Sequence, residues 1–245
     1  MKPTKKACDM SLAELAAYID QSVLKPEFTQ ADIRKYIQEG IDFGCATVCV
    51  NPASLDIAAE LTSGTQTGIC VVCDFPFGLS TTESKIKQVE AYVKRGDIAE
   101  LDIVANYGWI RSGMYEEVGR ELQAVCQVCH THGVVIKVIF ETDALTLTEV
   151  RNVSEVAIQA GADFLKTSTG FYTGGKSDGA TREVLAAMIE VANGRCKIKG
   201  SGGIRDQKYF FELIDMGIDR MGIGYRSTPV VLGISPEEAK QKEVY

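Results

Sequence analysis

The chain of 245 residues predicts an α/β fold, a single (β/α)8 TIM barrel with an extra N-terminal helix. Three observations predict it. Eight short apolar runs recur, with segments of helical period between them. Their centres advance from about residue 20 to about residue 222, roughly 29 residues per step, which suits a barrel of about 250 residues. Charged side chains gather at the carboxyl ends of these runs, where such a barrel builds its site.

In chain order, a helix from Ser11 to Ala17 comes first. The expected strands are Tyr18-Ile19-Asp20, Ala46 to Val50, Gly68 to Cys73, Leu101 to Val104, Val134 to Phe140, Phe164 to Lys166, Lys197 to Lys199, and Arg220 to Gly222. Helical periodicity fills the gaps, as in Ser80 to Arg95, Tyr115 to Thr131, Thr146 to Ala160 and Arg182 to Ala192. Thr82 before Glu83, Thr148 before Glu149, and Asp178 read as helix N-caps. Gly44, Gly96, Gly133, Gly161 and Gly217 separate helices from the strands that follow. The barrel is expected over about 18–232, with a polar tail at 233–245 that ends in Tyr245. No linker marks a second domain, so residues 1–245 are read as one. A doubly wound sheet fits less well, because no GxGxxG opens a helix.

A 45% hydrophobic content describes a globular protein with a sizeable core. The formal net charge of −7 argues against nucleic acid as a partner but leaves room for a locally cationic site. No apolar stretch approaches the roughly 20 residues of a membrane span, and Met1 to Asp20 contains no signal-peptide run. A cytoplasmic location is the resulting expectation, with no membrane partner. Apolar residues on helix surfaces permit a homodimer without requiring one. Cys70-Val71-Val72-Cys73 lies in a strand and Cys126-Gln127-Val128-Cys129 in a helix, whereas zinc pairs sit on tight knuckles. Buried reduced thiols are expected, with no metal. His130 and His132 close a helix ahead of Gly133, where a cation complements the helix dipole.

The chemistry starts from lysines. Lys166 ends an apolar run, followed by Thr167-Ser168-Thr169-Gly170. Lys199 repeats the design in Cys196-Lys197-Ile198-Lys199-Gly200-Ser201-Gly202-Gly203, and Lys137 lies within Val134 to Ile139. Burying an ammonium costs several kcal/mol, so a lysine held there tends to lose its proton. A cationic neighbour favours that loss and yields an amine able to form a Schiff base. One such lysine is usually a solvated strand-end charge; three reverse that reading. The predicted rim also collects Asp20, Ser22, Cys49, Asp74, Asp102, Glu141 and Thr169. Asp102, flanked by apolar residues, suits either an ion pair with a barrel lysine or proton transfer. Gly170-Phe171, Gly202-Gly203 and Gly222-Ile223-Gly224, with Arg226 close by, form candidate backbone cradles for a phosphate.

From about Tyr18 to Leu232 the chain resembles the deoxyribose-phosphate aldolase family. The resemblance rests on Lys166-Thr167-Ser168-Thr169-Gly170-Phe171, Lys199-Gly200-Ser201-Gly202-Gly203-Ile204-Arg205 and Leu101-Asp102-Ile103-Val104. It implies a TIM barrel and a class I aldolase that needs no cofactor. Lys166 would be the Schiff-base lysine, Lys199 the neighbour that lowers its pKa, and Asp102 the proton-transfer partner. The implied reaction is reversible cleavage of 2-deoxyribose 5-phosphate to acetaldehyde and glyceraldehyde 3-phosphate. Two departures bear on the substrate. Ile223-Gly224-Tyr225-Arg226 stands where the family usually has small hydroxyl residues, and Asp74 adds a negative charge near the rim. An altered or unphosphorylated sugar or aldehyde is therefore the alternative substrate. A barrel isomerase without a covalent step, or a regulatory barrel, is the alternative class.

Overall fold

The computed structural model describes residues 3–234, so the end of the polar tail and Tyr245 lie outside the described residues. Eight parallel strands close into a barrel in the order of the chain, as expected. A short helix α1 (Leu12–Ala16) precedes β1 (Ile19–Val23), and α2 (Gln30–Asp42), β2 (Thr47–Val50), α3 (Leu55–Thr62) and β3 (Gly68–Cys73) follow. Next come α4 (Thr82–Val93), β4 (Glu100–Val104), α5 (Tyr107–Arg111), α6 (Tyr115–Thr131) and β5 (Val135–Ile139). The chain continues through α7 (Leu147–Gln159), β6 (Phe164–Lys166), α8 (Arg182–Ala192), β7 (Lys197–Ser201), α9 (Gln207–Met216), β8 (Arg220–Gly224) and α10 (Thr228–Val231).

Three expected N-caps move. Thr81, not Thr82, caps α4, and its side chain accepts from the Ser84 amide. Thr146, not Thr148, caps α7 in a reciprocal box with Glu149. Thr181, not Asp178, caps α8. In each case the true cap has extended backbone and stands three residues before the amide it accepts from, which is what the geometry requires. The five separator glycines all adopt positive φ, the conformation that ends a helix. Strands β1, β7 and β8 run beyond the apolar residues that announced them, because Gln21, Ser22, Gly200, Ser201 and Gly224 continue the ladders with polar or absent side chains.

The contacts gather into two compact units, one of residues up to Cys70 together with those from Ile204, the other of Val71–Gly203. In the first, β1 pairs with β2 and β8. Buried Asp20 accepts from Thr47 Oγ1 at 2.8 Å and from Arg220 Nη1 at 2.6 Å. Tyr225 stacks on Tyr36, with centroids 3.9 Å apart, and meets Phe28 edge-on at 5.3 Å. In the second unit β4 pairs with β5, β5 with β6, and β6 with β7. Its core holds apolar residues such as Leu101, Ile103, Ile136, Val138 and Leu165, each 0% exposed, and among them buried charges. Buried ions in such surroundings need partners close by.

Candidate active site

Register explains which side chains meet. Asp102 of β4 lies opposite Lys137 of β5, and Lys166 of β6 lies opposite Lys199 of β7. Paired residues of adjacent parallel strands face the same way, and alternation puts Glu100 on the face of Asp102. One face of four neighbouring strands therefore carries three lysines and two carboxylates. Lys137 Nζ lies 2.5 Å from Glu100 Oε2 and 2.9 Å from Asp102 Oδ1. The other carboxylate oxygen, Asp102 Oδ2, lies 2.7 Å from both Lys166 Nζ and Lys199 Nζ. Those two nitrogens are thus no further apart than twice that distance. All three lysine side chains and Asp102 are buried, at 3% exposure or less.

Burial pushes the Asp102 carboxyl up, but Lys137, Lys166 and Lys199 together outweigh it and hold the group well below the usual carboxylate range. Asp102 is therefore the negative centre of the resting cluster. Lys137 is bracketed by both carboxylates, whereas Lys166 and Lys199 compete for one oxygen.

Other candidates lie nearby in this unit. Thr169, three residues past Lys166, donates its hydroxyl to Glu141 and accepts from the Phe171 amide at 2.9 Å. Asp74 begins the loop after β3, where its carboxylate takes the amide and hydroxyl of Ser80 at 2.9 and 2.7 Å. Lys85 Nζ stands 3.5 Å from Asp74 and 2.6 Å from Glu121, so this rim charge is matched from behind. Gly202 and Gly203 have positive φ, and a Cβ on Gly179 would fall 2.6 Å from the Gly202 carbonyl carbon. These glycines allow the 178–180 backbone to pack against the end of β7, with Ala180 donating to the Gly202 carbonyl at 3.1 Å. Gly170 is exposed with φ 80°, and Phe171 packs edge-on against Phe75 at 5.4 Å.

The remaining candidates belong to the other unit. Asp20 is engaged by Thr47 and Arg220, Ser22 is half-buried in β1, and Cys49 is buried in β2. Gly222 is half-buried in β8, Gly224 is exposed, and Arg226 is exposed over the Tyr225 ring at 5.3 Å. The thiols are mostly buried as expected; burial pushes Cys73, Cys126 and Cys129 up to about 12. Cys8 departs from the expectation and is exposed. His130 meets Asp163 at 3.0 Å and His132 meets the Val128 carbonyl at 3.0 Å.

The sequence reading assigned no role to Glu100, Lys85 or Glu121. Lys85 shares the buried stripe of α4 with Val89 and Val93, and Glu121 the buried stripe of α6 with Val118, Leu122 and Val125. A charge on an apolar stripe was the available signal. Among the described residues no helix is long and apolar enough to cross a membrane.

Residues 15–227 match the DeoC/LacD family aldolase profile. A deoxyribose-phosphate aldolase of Desulfitobacterium hafniense is 39% identical over 213 residues, covering 87% of this chain and 95% of that protein. One from Staphylococcus carnosus is 40% identical over 209 residues, covering 85% and 92%. The tetrameric deoxyribose phosphate aldolase of Aeropyrum pernix superposes with a TM-score of 0.81 at 28% identity, covering 91% of each chain.

Proposed function

We propose, from the premise that this chain belongs to the DeoC/LacD family of aldolases, that it is a class I aldolase cleaving 2-deoxy-D-ribose 5-phosphate to acetaldehyde and D-glyceraldehyde 3-phosphate. The observation that carries the reading is the pair of amines, Lys166 and Lys199, sharing the single oxygen Asp102 Oδ2. Lys166 is the nucleophile, the choice its resemblance to the family motif supports. Its neutral amine attacks the aldehyde carbon of the open-chain sugar, and loss of water from the carbinolamine gives a protonated imine. The imine draws the electron pair of the bond between the second and third sugar carbons as the hydroxyl on the third loses its proton. Glyceraldehyde 3-phosphate departs and an enamine remains on Lys166. Protonation of the enamine and hydrolysis release acetaldehyde. Lys199 is the neighbouring cation that favours the neutral form of Lys166, and Asp102 passes protons between them and the carbinolamine oxygen. Lys137, Thr169 and the rim residues Asp20, Ser22, Cys49 and Asp74 serve substrate binding.

The phosphate falls to backbone amides of Gly170, Phe171, Gly202, Gly203, Gly222 and Gly224, with Arg226 as a side-chain partner. The work is expected in the cytoplasm. Borohydride reduction in the presence of acetaldehyde tests the covalent step. The expected product is an ethyl adduct on Lys166, absent from a folded Lys166→Ala protein that also shows no turnover. A folded wild-type protein that traps nothing would remove the aldolase reading and leave a non-covalent barrel isomerase.

A further inference from the structure

Glu141, just beyond β5, is buried (1% exposed). Its backbone is left-handed, φ 57° and ψ 63°, a conformation that glycine or asparagine adopts far more readily. What glutamate adds is a carboxyl group in a fixed place. One oxygen takes the Thr169 hydroxyl, and the other lies 3.4 Å from the Thr169 amide. The flanking residues are tied to the same loop: the Phe140 amide donates to the Lys166 carbonyl at 3.0 Å and the Thr142 amide to the Thr167 carbonyl at 3.0 Å. On its other side Glu141 lines a cavity of about 250 Å³ with Phe77, Tyr107, Arg111, Phe171 and Tyr172. Glu141 thus joins the segment that follows Lys166 to a cavity whose wall mixes aromatic rings with Arg111 and Thr173. Thr169 occupies only part of the roughly four acceptor positions of a carboxylate. An acceptor held there matches a hydroxyl donor.

We propose that Glu141 is a specificity-determining residue that accepts a hydrogen bond from a hydroxyl of the acceptor aldehyde, so that the cavity selects hydroxylated over unsubstituted aldehydes. The proposal rests on the aldolase reading and assigns the half of the substrate that does not become the imine. A site built to bond a hydroxyl discriminates strongly against the analogue that lacks it.

The test runs the reaction in synthesis, with acetaldehyde as donor and either glyceraldehyde or propanal as acceptor. The ratio of kcat/KM for glyceraldehyde to that for propanal is expected to fall at least tenfold in Glu141→Gln, where an amide donor replaces an acceptor, and in Glu141→Ala. Thr169→Val, which removes the anchor of the carboxyl, should lower the same ratio, chiefly through KM for glyceraldehyde. Both Glu141 variants should still give the borohydride adduct on Lys166. An unchanged ratio in Glu141→Gln with trapping retained overturns the proposal while leaving the aldolase intact. Absence of trapping in the wild-type protein overturns the aldolase reading and this assignment with it. The isosteric Gln variant carries the test if Glu141→Ala does not fold.

Discussion

Asp102 is fully buried, and burial alone would keep its carboxyl protonated; three amines reverse that and hold it well below the ordinary range. A carboxyl depressed on folding adds stability that is present above its unfolded value, about 3.9, and lost as pH falls through the folded one. Asp102→Asn should therefore cost about 3–5 kcal/mol at pH 7, because it strands buried ammoniums. The deficit should shrink by about 1 kcal/mol at pH 3, where the wild-type protein is already losing the contribution. Urea denaturation at both pH values checks this, and an equal deficit would contradict it. At this scale the sequence marked Asp102, Lys137, Lys166 and Lys199 as charges among apolar residues. It could not pair them, since pairing depends on which residues stand opposite in β4 to β7.

Helices and loops carry a second buried ion group. Lys85 of α4 donates to Glu121 of α6 at 2.6 Å and to the carbonyls of Gly78 and Val104 at 3.0 and 3.1 Å, while Thr82 donates to Glu121 at 3.0 Å. The group joins two helices to the loop after β3. Removing one partner leaves the other charge uncompensated, so Lys85→Met should lose about 3–5 kcal/mol. Lys85→Met combined with Glu121→Leu should lose markedly less; chemical denaturation of both proteins would show whether the coupling exists. The shifted caps offer a smaller test. Thr146→Ala should cost about 1 kcal/mol and Thr148→Ala close to nothing, because only Thr146 accepts from the Glu149 amide. Helix α6 and helix α8 matched their expected limits, Tyr115–Thr131 and Arg182–Ala192, since amphipathic period is local to the chain. Caps were misplaced because more than one residue able to cap, hydroxyl or carboxylate, stands near each of these helix starts and only backbone conformation selects among them.

The whole molecule carries a net charge of −7, while three lysines stand together around Asp102 at the buried site. A dianionic substrate gains nothing from the overall charge and must be held by local donors. If backbone amides and Arg226 supply them, kcat/KM for 2-deoxyribose 5-phosphate should exceed that for free 2-deoxyribose at least tenfold. Equal efficiency in steady-state assays would favour the unphosphorylated substrate instead. Repeating apolar runs separated by helical period were enough to announce eight strands and their order, because strand and helix periodicities are written in neighbouring residues. The lysines were conspicuous for the same local reason, since a charge inside an apolar run can be seen without a structure. Only the tertiary structure showed that Lys137 is enclosed by two carboxylates while Lys166 and Lys199 share one oxygen, and that Glu141 faces Thr169 and a cavity. Those facts depend on strand register and loop path, which bring together residues dozens of positions apart, and no local pattern in the chain encodes them.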